Sequence, residues 1–177
     1  MDGRPTEMIP DYSAGHEGWT KGNAYQDWVV SVWPLCYPGK TLTLRNSRIG
    51  QLDGETDEGV EIKFDDKIYT YCPTGRLYIE LEEKVKQDND SYVLSGIYRQ
   101  DNSKYYLIGD YIEWWIFAKQ TLVDLDKKNP DYLYRPKPTG TSIGYCLPVE
   151  YAMQLSLRYQ QFDEDRKPRD DTWLEGL

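Results

Sequence analysis

Histidine is almost missing from this chain, and cysteine is sparse. His16 stands alone, and Cys36, Cys72 and Cys146 lie far apart with no CxxC pair among them. A zinc site needs about four clustered nitrogen and sulfur donors, so zinc chemistry is not expected. Three scattered thiols also suit a reduced, cytoplasmic setting better than a disulfide scaffold. No apolar run approaches the roughly 20 residues that a membrane-spanning helix needs. The first residues, Met1-Asp-Gly-Arg-Pro-Thr-Glu7, have neither the basic opening nor the apolar stretch of a signal peptide. No membrane partner is expected.

Positive charge is also short. The 177 residues carry 21 Lys and Arg against 30 Asp and Glu, a formal charge of −9. That argues against a broad electrostatic grip on nucleic acid. It leaves room for a nuclease, whose metal-holding carboxylates add to the acidity, and for an acidic mimic of nucleic acid. Phenylalanine is rare, with 3 residues against 16 tyrosines and 6 tryptophans. Tyr and Trp bury area and keep a polar handle, which suits a small β-rich core with amphipathic edges. Bases can also stack on them.

Two segments carry the chemistry. Val60-Glu-Ile-Lys-Phe-Asp65 alternates. As a strand it turns Val60, Ile62 and Phe64 to one face and Glu61, Lys63 and Asp65 to the other. Leu77-Tyr-Ile-Glu-Leu-Glu-Glu-Lys84 alternates likewise, with Leu77, Ile79 and Leu81 opposite Glu80, Glu82 and Lys84. Carboxylates and a lysine on one face of two adjacent strands are the parts of a hard-cation site. Mg²⁺ takes oxygen ligands, often one or two carboxylates, and fills its shell with water and substrate phosphate.

The rest of the chain supplies a frame. Residues 1–20 contain Pro5, Pro10, Gly15 and Gly18 and read as an irregular arm. Residues 21–33 read as a helix with Tyr25, Trp28, Val29, Val32 and Trp33 on one stripe, ended by Pro34. Strands are expected over 40–45, 49–52, 60–65, 76–84, 92–98, 105–108 and 111–117. A short helix follows near 117–126, then a Pro-rich loop over 127–141. Leu147-Pro148 opens a further helix whose stripe is Ala152, Leu155, Tyr159 and Phe162. The expected fold is a single α/β domain, with α+β as the alternative, built on a central mixed sheet flanked by helices. Its limits are 21–165, with a charged tail over 166–177.

The run Gln51-Leu-Asp-Gly54-Glu-Thr-Asp57-Glu-Gly59-Val-Glu61-Ile-Lys63-Phe-Asp65 resembles the Q-x-x-G-x-D-x-x-G-x-E-I-K-x-D run of small phage-type nucleases in the PD-(D/E)xK, restriction-endonuclease-like superfamily. Thr74-Gly-Arg-Leu-Tyr-Ile-Glu80 is similar to the segment that follows in such proteins. Ser95-Gly-Ile97, the strand-rich 105–122 stretch, Thr141-Ser-Ile-Gly144 and Leu147-Pro148 have counterparts as well. The resemblance spans roughly residues 45–155. It implies a restriction-endonuclease-like fold and Mg²⁺-dependent (or Mn²⁺-dependent) hydrolysis of phosphodiester bonds in DNA, with a homodimer compatible with it.

The match allows two assignments, because no literal Pro-Asp occurs. In one, Asp57 or Asp53 is the lone acid and Glu61 with Lys63 completes the set. In the other, Asp65 and Glu80 hold the metal, 15 positions apart as suits a strand-turn-strand step, with Glu61 and Lys63 beside them. Glu82 then stands where a lysine is usual, so the positive role falls to Lys63 or Lys84. The second is favoured by spacing. The implied set is therefore Glu61, Lys63, Asp65, Glu80 and Lys84 for catalysis, with Asp57, Asp65, Glu80 and Glu82 toward metal. Asp27 or Gln26 on the first helix is a candidate accessory group, and Glu17 a poorer one. Against this stands an exposed strand face with cross-strand salt bridges. A catalytically inactive interaction or inhibitor protein on a similar fold is the alternative function, and a tyrosine-lined β-barrel or sandwich binding module a further one. Trp114 and Trp115 read as packing on two faces of a sheet, and Arg99 and Lys104 as solvated loop residues.

Overall fold

Alternating apolar residues mark the strands over 59–64 and 76–83, and continuous apolar runs those over 103–109 and 113–118. The computed structural model describes residues 13–45, 50–52, 59–65, 74–85, 88 and 90–169. Helix α1 spans Ser13–Cys36. The strands are β1 (Leu42–Leu44), β2 (Gly50–Leu52), β3 (Gly59–Phe64), β4 (Arg76–Glu83), β5 (Val93–Leu94), β6 (Ser103–Gly109), β7 (Glu113–Ala118), β8 (Ser142–Pro148) and β9 (Arg158–Gln161). Helix α2 (Lys119–Lys128) follows β7, and α3 (Val149–Leu155) follows β8. This is a mixed α/β fold, as expected. No helix among the described residues is long and apolar enough to cross a membrane.

The strands form two sheets. One has the order β1-β2-β3-β6-β7-β9 and the other β5-β4-β8. The larger sheet is mixed, because β3 pairs with β6 in parallel while its other neighbours are antiparallel. On one face, Val60, Ile62, Leu107, Trp114 and Ile116 pack against Tyr25, Val29, Val32 and Trp33 of α1. On the other, Tyr106, Ile108, Trp115 and Phe117 pack with Leu77, Ile79, Tyr145 and Leu147 of the smaller sheet and with α2 and α3. Each such fully buried side chain stabilises the fold by about 1.5–3 kcal/mol.

Several boundaries differ from the sequence reading. Helix α1 begins at Ser13, within the stretch read as an arm, and continues past Pro34 to Cys36. Pro34 removes one N–H from the last turns, yet Tyr37 N–H still bonds the Trp33 carbonyl at 2.9 Å, so the ladder closes around it. The strand read at 92–98 shrinks to Val93–Leu94, followed by a 3-10 turn at Gly96–Tyr98. Gly96 sits at φ +49°, and a Cβ there would lie 2.0 Å from the Glu80 carbonyl. Only glycine lets the chain cross Glu80 this closely.

The last helix is shorter than its stripe suggested. It stops at Leu155, and Leu157 N–H bonds the Ile116 carbonyl at 2.7 Å. From there the chain becomes β9, with Tyr159 opposite Trp115. The open edge of β7, built from bulky apolar residues, outweighs the local helical pattern. Residues 166–169, the described part of the segment read as a charged tail, fold back. Arg166 lies 3.9 Å from the centre of the Tyr111 ring, and Arg169 N–H bonds the Gln161 carbonyl at 3.0 Å.

Candidate active site

The alternation of β3 fixes the site. Val60 and Ile62 belong to the α1 side, so Glu61, Lys63 and Asp65 turn toward the smaller sheet. There they meet β4, although β3 and β4 belong to different sheets. The strand-turn-strand step inferred from spacing is thus replaced by a side-chain junction between sheets, because β3 spends its backbone pairing on β2 and β6. Lys63 Nζ donates to Glu80 Oε1 at 3.1 Å. Two residues on, Asp65 Oδ2 accepts the Tyr78 backbone N–H at 2.9 Å. Ser95 Oγ donates to the same Glu80 oxygen at 2.8 Å.

A buried ion network backs this junction. Glu61 is only 4% exposed. Its Oε1 lies 3.5 Å from Lys63 Nζ and its Oε2 3.2 Å from Lys119 Nζ. Lys119 also donates to Ser103 Oγ at 2.6 Å and pairs with Asp101 at 3.4 Å. On the other flank, Arg99 donates to Ser95 Oγ at 3.2 Å and to Glu83 Oε1 at 3.1 Å. Charges therefore alternate along Asp101, Lys119, Glu61, Lys63, Glu80, Arg99 and Glu83, with Ser95 bridging the last step to arginine. Lys119 is the first residue of α2, the positive end of a helix dipole. Local electrostatics disfavours a lysine there, so the carboxylates hold it.

Burial would pull the Lys63 ammonium below its ordinary value, but Glu80 and Glu61 outweigh it and Lys63 sits above. It is a fixed cation at neutral pH. Arg99 is raised by the same balance, burial opposing and Glu61, Glu83 and Glu80 prevailing. Cys146 lies nearby, but burial pushes its thiol up, opposed by Arg76 and reinforced by Asp65. A thiolate nucleophile is therefore disfavoured.

The junction opens into a cleft of about 650 Å³. Lys63, Asp65 and Glu80 line it together, with Tyr106 and Ile108 of β6 beneath. Arg76 and Tyr78 of β4 and Ser142 and Cys146 of β8 form a second wall, and Thr139 and Thr141 close one end. Tyr78 Oη and Ser142 Oγ are 2.9 Å apart, and Thr139 Oγ1 is 3.2 Å from Ser142 Oγ.

Of the residues singled out from sequence, Lys63, Asp65 and Glu80 reach the cleft, and Glu61 stands behind Lys63. Glu82 faces Leu94 across β4 and β5 and is not among the described residues lining the cleft. Lys84 Nζ lies over the Tyr92 ring, 5.1 Å from its centre, and Lys84 is not among the described residues lining the cleft. Asp57 and Asp53 lie outside the described residues. Gln26 donates to the Ile62 carbonyl at 3.3 Å, on the α1 side, and no α1 residue is among those lining the cleft. Arg99, read as a solvated loop residue, is a member of the network. Lys119 and Asp101 were not signalled as site residues, since nothing local marks them, and Ser95 entered only as part of the Ser95-Gly-Ile97 counterpart.

Among the described residues, no group of three or more His, Cys, Asp or Glu side chains stands ready to hold a metal ion. Asp65 and Glu80 on one cleft are two hard oxygen donors, the number Mg²⁺ often takes from a protein when phosphate and water complete its shell. The donor chemistry fits Mg²⁺ or Mn²⁺ on those terms. Comparison of the chain with protein-family models, with curated proteins and with solved structures gives no match.

Proposed function

We propose that this protein is a metal-dependent nuclease that hydrolyses phosphodiester bonds in DNA, on the pattern of the PD-(D/E)xK enzymes its sequence resembles. The observation that carries the reading is the contact of Lys63 Nζ with Glu80 Oε1 at 3.1 Å, beside Asp65, in an open cleft. Asp65 and Glu80 would hold Mg²⁺ or Mn²⁺. A bound cation of this kind supplies a water of lowered pKa and offsets charge building on the phosphate.

The chain's own residues do the rest. Lys63 lines the cleft beside Glu80, where its positive charge would face the negative charge building on the transferred phosphate. Ser95 and Lys63 hold one Glu80 oxygen, which fixes the carboxylate's rotamer. The Tyr78 N–H orients Asp65 in the same way. Lys119 neutralises Glu61 from behind, leaving Lys63 directed at Glu80. Pre-set groups of this kind favour the transition state because they need not reorganise during reaction.

An acidic mimic of nucleic acid would display carboxylates without matching cations. Here the acids alternate with Lys119, Lys63 and Arg99, which favours the enzyme reading. The test is Mn²⁺ binding followed by electron paramagnetic resonance, alongside cleavage of labelled DNA with and without EDTA. Saturable Mn²⁺ binding and EDTA-sensitive cleavage, both lost in Glu80→Ala, support the nuclease. Absence of both in the wild type overturns it.

A further inference from the structure

We propose that the cleft takes single-stranded rather than duplex DNA, and that Tyr134 and Tyr78 are its base-stacking platform. This rests on the nuclease reading and names its substrate. The two aromatic residues are connected through β8. Tyr78 lies opposite Cys146 in the β4–β8 register, and Tyr134 lies opposite Cys146 on the other side. Residues directly opposite on antiparallel strands point to one face. Tyr78 and Cys146 line the cleft, so Tyr134 extends the same face beyond it.

The row is held firmly. Tyr134 exchanges both backbone bonds with Cys146, at 3.2 and 2.7 Å. Tyr134 is 51% exposed. Arg76, itself a cleft residue, lies over the Tyr134 ring at 5.1 Å from the centre. An exposed ring with a guanidinium above it offers both a stacking surface and a cation for a phosphate. Tyr78 needs clear space to lie along the wall, and Gly144 provides it: a Cβ there would come 2.7 Å from the Tyr78 ring.

Size and charge select the strand number. A cleft of about 650 Å³ is within the range of about 300–1,000 Å³ that encloses a small ligand. That is room for a nucleotide or two. A duplex instead needs an extended and strongly basic surface, burying about 1,000 Å² or more of protein in typical specific complexes. Among the described residues, the cleft offers Lys63 and Arg76 beside Asp65 and Glu80, on a chain of net charge −9. Stacking depends little on backbone charge, so it suits an acidic protein. The linked hydroxyls of Tyr78, Ser142 and Thr139 make that part of the lining polar without adding charge.

The test is fluorescence anisotropy of the full chain in EDTA, with a labelled oligothymidine and a duplex of equal length. The oligothymidine binds at least tenfold more tightly than the duplex. Tyr134→Ala weakens it by about tenfold, the scale of one lost stack, while Tyr134→Phe does not. Equal or tighter duplex binding, no binding to either, or an unaltered Tyr134→Ala overturns the proposal. Selective single-strand binding without Mg²⁺- or Mn²⁺-dependent cleavage would sink the nuclease reading and leave this one standing. Cleavage of both forms with equal affinity would do the reverse.

Discussion

Lys63 and Glu80 join two sheets that share no strand pairing, through an Nζ–Oε1 contact of 3.1 Å. The contact is charge-assisted and mostly shielded, with side-chain exposures of 27% and 18%. It is both a tie between layers and the centre of the proposed site. Lys63→Met removes the tie and is expected to cost about 2 kcal/mol, the range for a hydrogen bond to a charged group. Urea unfolding of Lys63→Met, Glu80→Gln and the double variant reads this. A cycle showing no coupling between the two would mean the contact holds nothing.

Lys119 is the deeper partner. Its side chain is 9% exposed and Glu61's is 5%. Lys119→Met leaves Glu61 buried with one cation instead of two, and removing one partner of a buried pair costs about 3–5 kcal/mol. Adding Glu61→Gln should restore part of that loss, because the uncompensated charge disappears. If the double variant unfolds at lower urea than Lys119→Met alone, Glu61 is not the charge that Lys119 serves.

Gly96→Ala places a methyl group against the Glu80 carbonyl, where the Cβ would sit at 2.0 Å, at a φ of +49° that disfavours any side chain. The strain is of order 1–3 kcal/mol for the backbone alone. Relief requires Ser95 and Glu80 to separate, so cleavage should fall along with the urea midpoint. Gly22→Ala, on α1 with nothing within 4 Å of the added carbon, is the control expected to leave both unchanged or slightly improved.

Asp101 links stability to acid. Burial would raise its carboxyl, but bonds from the Ser103 hydroxyl and N–H, with Lys119 beside them, hold it below the ordinary 3.8. A depressed carboxyl contributes stability that is present above its unfolded value and is lost as pH falls through the folded one. The urea midpoint of the wild type should therefore fall more steeply below pH 4 than that of Asp101→Asn, as about that pH marks the unfolded carboxyl. Parallel curves would show that Asp101 contributes nothing to the acid limb.

The faces of β3 were legible because period-two alternation depends only on neighbours. Val60 and Ile62 turn to α1, and Glu61, Lys63 and Asp65 turn the other way. Trp114 and Trp115 divide between the two faces for the same reason. Pairing was not legible. Insertion of β6 beside β3 joins Gly59 to Ser103, far along the chain, and no local signal announces it. That insertion sends β4 to a second sheet and carries Asp101, Ser103 and Lys119 to the back of Glu61. The helix expected through Phe162 failed where a long-range edge, β7, competed with local propensity.

The nuclease account stands or falls on the cleavage rate of single-stranded DNA in Mg²⁺ or Mn²⁺ by wild type, Asp65→Ala and Glu80→Ala under single-turnover conditions. The account predicts cation-dependent cleavage by the wild type, with loss of at least a hundredfold in each variant while far-ultraviolet circular dichroism stays native, in line with the cost of removing one electrostatic group from an active site. Cleavage that persists unchanged in both variants would contradict it.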